Sequence, residues 1–235
     1  MKTFLGLLAA SALSAQVQAA PPEEAFSHYW LVGWGENQPF IRQVTTTLVL
    51  PPINPTQKGF LKIYPELWTE ENASLTGTAL TLLDDRSPCW PNVVDWCVLA
   101  RMVLGNQQNA AIHKPVPVGA ELKIQITYDD ATKRHDHTLT VDGEIISQLP
   151  VTDAELNLVA GRGVGFRTQV ECQLEVCGNV SSHDYLNTTI VLDSPDPSFA
   201  KWKETFNTRG DLKTADGGLT WTVDKIVVNS VTYDH

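Results

Sequence analysis

Between Glu121 and Gln148 the apolar residues fall at alternate positions, a pattern that buries one side of a strand and no side of a helix. Leu122, Ile124, Ile126 and Tyr128 alternate with Lys123, Gln125 and Thr127; beyond a polar tip that takes in His135 and His137, Leu139 and Val141 resume the pattern. Asp142-Gly143 is the dipeptide of a tight primed turn, and Ile145 and Ile146 follow it. Three consecutive antiparallel strands are predicted, with both histidines solvated at the tip. Neighbouring segments repeat the signature, so the expected fold is all-β: an antiparallel β-sandwich, jelly-roll or concanavalin-like, with one or two short helices. Chemistry then sits on a sheet face or on the loops.

The chain opens with Lys2, an apolar run from Phe4 to Ala15, and small residues at Ala19 and Ala20. This is the layout of a secretory signal peptide over residues 1–19, too short to span a bilayer. Residues 20–235 are expected to form one β-sandwich domain, and no later run is long enough for a membrane helix. Without Lys2 the formal charge moves from −10 to −11, and no basic cluster offers itself to nucleic acid.

Four cysteines, Cys89, Cys97, Cys172 and Cys177, allow three pairings. Cys89 with Cys97 and Cys172 with Cys177 are favoured, since each couple closes a short loop in an oxidising compartment. Their spacing fits no usual zinc finger and histidine is not adjacent, so no metal is expected. Asn72, Asn179 and Asn187 head glycosylation sequons, which places them on the surface.

In chain order, strands are predicted over 26–34, 43–50, 59–68, 76–83, 95–104, 166–171, 185–193 and 221–228, besides the three above. Residues 151–158 and 199–206 are the candidate short helices, the first with Thr152 as cap. The glycines of GRGVGF (161–166) lack the strand-before and helix-after setting of a phosphate loop and are read as a flexible strand entry. Residues 214–221, TADGGLTW, fit the Asp-box hairpin of β-propeller sialidases, but a single copy points to a stable turn rather than to a propeller.

Period two also sorts polar residues onto faces. Tyr64, Glu66 and Trp68 share a side if Pro65 keeps the register, and Arg167, Gln169 and Glu171 share another. The plain reading of such residues is a solvated outer face. Arg101 stands alone among apolar neighbours in DWCVLARMVL, where a guanidinium needs a carboxylate such as Glu171 or Glu66, or else a ligand. Seven tryptophans suit a core, and two or three of them could line an apolar cleft. His28, His113 and His183 are the remaining candidates for proton transfer. There is no G-x-S-x-G elbow, no cysteine is left over once both bridges form, and the E-x-D-x-x-E run of secreted β-sandwich glucanases is absent.

Five blocks carry a further signal: Asp95-Trp-Cys-Val98, Val170-Glu-Cys172, Cys177-Gly-Asn-Val180, Asn187-Thr-Thr-Ile-Val-Leu-Asp193 and Asp216-Gly-Gly-Leu-Thr-Trp-Thr222. Together they resemble a family of small secreted fungal proteins whose characterised members are hetero-Diels-Alderases of tropolonic sesquiterpene biosynthesis. The resemblance spans most of residues 20–235 and implies a reaction without metal or redox cofactor. A hydroxymethyl tropolone loses water to an ortho-quinone methide, which an alkene of humulene captures as a dihydropyran. Such a reaction needs a positioned acid and base and two apolar partners held together away from water. On this expectation Tyr64, Trp68 and Trp34 form an aromatic wall, Arg101 holds the tropolone oxygens, and Glu171 or Glu66 moves the proton. Two other classes compete: a noncatalytic lectin-like module stacking sugars on aromatics, and a glutamic-peptidase-like hydrolase using Gln169 and Glu171.

Overall fold

A computed structural model describes residues 28–233 apart from 93, 106, 159–160 and 174–175. The predicted signal peptide lies outside the described residues. The chain runs through β1 (Tyr29–Gly33), β2 (Ile41–Val49), β3 (Phe60–Thr69), β4 (Ser74–Thr81), β5 (Trp96–Leu104), β6 (Gln107–Ala110) and β7 (Lys114–Val116). The predicted triplet follows as β8 (Glu121–Asp129), β9 (Arg134–Val141) and β10 (Glu144–Thr152). Then come β11 (Gly163–Gln173), β12 (Gly178–Val180), β13 (His183–Leu192), β14 (Glu204–Phe206), β15 (Thr208–Arg209), β16 (Lys213–Thr214), β17 (Thr220–Val228) and β18 (Val231–Tyr233).

All of these pair antiparallel, and apart from the separate β12–β18 pair they form two layers. One carries β14, β1, β11, β3, β4 and β5, with β6 and β7 on the far side of β5; the other carries β10, β9, β8, β2, β13 and β17, with β15 and β16 at its end. The layers join where Gly163 of β11 meets Ile41 of β2. GRGVGF is the entry to a strand, β11, and a Cβ on Gly163 would lie 2.7 Å from the Ile41 carbonyl oxygen, so glycine there serves close approach. The faces turned toward each other fill one core, with Ile63, Leu67, Leu75, Val98 and Met102 on one side and Leu48, Leu122, Ile124, Ile126 and Leu139 on the other. A Cβ on Gly77 of β4 would come within 2.6 Å of Ile124, so this core has no spare space between those strands. The antiparallel sandwich expected from periodicity is therefore the fold.

Asp142 and Gly143 take positive φ (51° and 82°), as the primed turn requires. The tip is shorter than expected, however. His135 and His137 lie within β9 on the same face as Leu139 and are fully buried, which corrects their assignment to a solvated tip. Both predicted short helices shrink to 3-10 turns, Ala154–Leu156 and Phe199–Trp202. At the first, the Thr152 hydroxyl accepts from the Glu155 amide (3.3 Å) while the Glu155 carboxylate accepts from the Thr152 amide (2.7 Å), a reciprocal cap. Thr214 and Asp216 knit the predicted hairpin between β16 and β17, with the Trp221 indole donating to the Gly218 carbonyl.

Disulfides join Cys89 to Cys97 and Cys172 to Cys177, the expected pairing, and fit an oxidising compartment. No helix among the described residues is long and apolar enough to cross a membrane. Asn72, Asn179 and Asn187 are exposed.

Candidate functional site

The outward face of β11, β3, β4 and β5 is assembled by register. Pro65 interrupts the ladder to β4 for want of an N–H, yet pairing resumes at Glu66 in the same register and stays continuous toward β11. One cross-strand row therefore reads Arg167, Glu66, Thr76, Arg101, and another reads Glu171, Lys62, Leu80, Cys97. This face is not freely solvated: Lys62, Glu66, Ser74, Thr76 and Thr78 are all buried although they point away from the core. Lys62, Glu66, Ser74 and Thr76 floor a recess of about 400 Å³ that Tyr64, Trp68, Arg101, Arg167 and Glu171 also line. A volume of this order is usual for small-molecule sites.

Each carboxylate of the recess is engaged. Glu66 accepts hydrogen bonds from Ser74 and from Arg167, whose guanidinium also lies 5.2 Å from the Trp68 ring centre. Glu171 accepts from the Lys62 ammonium (3.3 Å), from the Tyr64 hydroxyl (3.0 Å) and from the Gln173 amide. The Arg101 guanidinium, half-buried in the same recess, has no hydrogen-bond or ion-pair partner among the described residues. Three cations against two carboxylates leave the lining with a surplus positive charge. Burial lowers the Lys62 pKa against the pull of Glu171, and Arg101 lowers it further. Burial, with the nearby Glu66 and Glu171, holds the Tyr64 phenol far above its usual range, so it stays protonated and donates to Glu171.

Of the residues singled out from sequence, the fold brings Tyr64, Glu66, Trp68, Arg101 and Glu171 into one recess. Trp34 stands beside it, its ring centre 6.3 Å from that of Trp68, and is 41% exposed. Gln169 shares the strand face but is buried and does not line the recess, and its amide atoms have no hydrogen-bond partner among the described residues. The expected ion pair of Arg101 with Glu66 or Glu171 does not form, because Arg167 and Lys62 occupy those acids. The recess is also more polar than an apolar cleft. Of the tryptophans only Trp68 lines it, while Trp30, Trp96 and Trp221 are buried and the disulfide loop leaves Trp90 exposed. Lys62, Ser74 and Thr76 went unmarked, although Lys62 shares the two-residue period of Tyr64, Glu66 and Trp68 and was open to the same argument.

No protein-family model and no curated protein matches the sequence. Solved structures do. Scytalido-glutamic peptidase with a transition state analog inhibitor aligns at a TM-score of 0.54 and 10% identity over 86% of this chain and 98% of that one. SCP-B, a member of the eqolisin family of peptidases in complex with the tripeptide Ala-Ile-His, aligns at 0.53 and 9% identity over 89% and 99%. At such identities the likeness is one of fold.

Proposed function

We propose that the recess on β3, β4, β5 and β11 is a catalytic pocket for an oxygen-rich, acidic small molecule, and that the chain is a hetero-Diels-Alderase of the kind its sequence blocks resemble. The observation that carries this reading is Arg101: a half-buried guanidinium facing a pocket whose carboxylates are already taken. An uncompensated cation in that position is costly without a guest rich in acceptor oxygens, and the two oxygens of a tropolone suit its planar fork of donors. Trp68, with Trp34 behind it, supplies a flat apolar surface against which the ring and the alkene can lie. Of the two acids, Glu171 is the one for proton transfer, since its side chain is the more accessible, 13% exposed against 6% for Glu66. In this scheme the pocket binds the tropolone, assists loss of water from its hydroxymethyl arm, and holds the quinone methide against humulene until the dihydropyran closes.

The experiment is incubation of the purified protein with a hydroxymethyl tropolone and humulene, followed by chromatography and mass spectrometry. Arg101→Ala should lose most of the cycloadduct, and full turnover by that variant refutes the role given to the arginine. A second reading, peptide hydrolysis, draws on the structural likeness to glutamic peptidases. It would need Gln169 to reach substrate beside Glu171, and casein digestion at acid pH with no small-molecule turnover favours it. Glycan-array binding without turnover would favour the lectin-like class instead.

A further inference from the structure

Lys62 is the group in the pocket that the scheme above leaves idle. It is 5% exposed yet lines the recess, with its ammonium 3.3 Å from Glu171 and 5.1 Å from the Phe60 ring centre. A lysine buried this deeply, with Arg101 nearby, sheds its proton more readily than a surface one, and Glu171 is not strong enough a neighbour to reverse that. Such an amine, held against a carboxylate, is suited to acid–base work. The bland alternative is a structural ion pair that merely neutralises Glu171.

We infer that Lys62 and Glu171 form a reciprocal acid–base pair, Lys62 protonating the departing hydroxyl of the substrate while Glu171 takes the proton of the ring hydroxyl. This rests on the reading of the pocket as a dehydration site. The bond between the methylene carbon and its hydroxyl breaks with both electrons going to oxygen, and the Lys62 proton completes a water molecule. The ring O–H proton passes to Glu171, and its bonding pair becomes the new C=O of the neutral quinone methide. The protonated Glu171 then returns its proton to the Lys62 amine across their existing contact, so the pair is restored and no oxidant or reductant is consumed. Tyr64, donating to the other carboxylate oxygen, fixes the orientation of Glu171 and is a positioning residue.

The test varies the leaving group. With the hydroxymethyl substrate, Lys62→Met and Lys62→Arg should each slow adduct formation by about 10²–10⁴-fold. With an acetoxymethyl substrate, whose acetate departs without a proton, both variants should run close to the wild-type rate. Equal losses on the two substrates overturn the inference and leave Lys62 a structural partner; if Lys62→Met does not fold, Lys62→Arg, which keeps the charge, decides. Should the wild-type protein dehydrate neither substrate, the reading of the pocket fails while the amine is still judged alone, by acetic anhydride labelling across pH with peptide mapping. Labelling of Lys62 with a midpoint below that of exposed Lys58 and Lys123 supports a poised acid, and a midpoint at or above theirs refutes it.

Discussion

Glu66 and Arg101 stand in one cross-strand row with Thr76 between them, and the carboxylate turns to Arg167 instead. Two strand spacings separate the backbones of the pair, roughly 10 Å. The arginine is thereby left without an acid of its own among the described residues, and the proposed function gives it the substrate oxygens. A carboxylate placed at the intervening position would supply one: Thr76→Asp should pair with Arg101 directly, leave the fold intact and weaken binding of tropolone as a probe. Losing one charge-assisted contact of about 1.5–3 kcal/mol corresponds to a drop of about 10- to 150-fold, measurable by titration calorimetry. Unchanged affinity would mean that Arg101 does not receive the anion.

Glu66 should matter for stability more than for chemistry. It is 4% exposed and bound by Arg167 and Ser74, so Glu66→Ala removes the carboxylate that a part-buried guanidinium and a buried hydroxyl both donate to. Removing one partner of a buried pair costs about 3–5 kcal/mol. Urea unfolding should register a loss of that order, and a variant as stable as the parent would show that water relieves Arg167 fully.

The wall beside the pocket depends on Gly165. A Cβ there would lie 2.2 Å from the Trp34 ring, which lies against the bare backbone of β11 and next to Trp68. Gly165→Ala should force the indole away, at a cost of about 1–3 kcal/mol, and change the near-ultraviolet circular dichroism of the tryptophan pair. A spectrum identical to that of the parent would show that the wall tolerates the methyl group.

The periodicity of the chain made most of this architecture readable. Alternation over 121–148 defined β8, β9 and β10, and the same two-residue rule put Tyr64, Glu66 and Trp68 on one face. It did not reveal that this face is sunken, because burial on the outward side comes from how the strands and the loops around them curve together, and no local pattern encodes that. The partners of Arg101 differ from expectation for a related reason: Glu66 and Glu171 are opposed to it in sign, but register, which depends on pairing across some 25 to 110 residues, gives them to Arg167 and Lys62. His135 and His137 show the reverse error. Counting back in twos from Leu139 reaches both, yet their polarity was allowed to outweigh the period.

That buried pair predicts how stability responds to acid. Both ring nitrogens of His137 lack hydrogen-bond partners among the described residues, and the His135 ring is buried against the backbone of Gly161. Burial pushes His135 down to about 4, against the pull of Asp153 and Asp136, and pushes His137 down to about 3, with His135 adding to the shift. His183, also buried, is lowered to about 4. In the unfolded chain these rings take up protons from about pH 6.5 downward, whereas the folded chain takes them up only near pH 4 and below. Between those limits the unfolded state holds more protons, so stability is at its plateau above pH 6.5 and falls steadily as the pH drops toward 3. Each histidine contributes on the order of 2–4 kcal/mol to that fall. His137→Leu keeps an apolar side chain in the core and removes one titrating ring, so urea unfolding between pH 7 and pH 4 should show a shallower decline than in the parent. Parallel declines in the two proteins would assign the acid sensitivity to other groups.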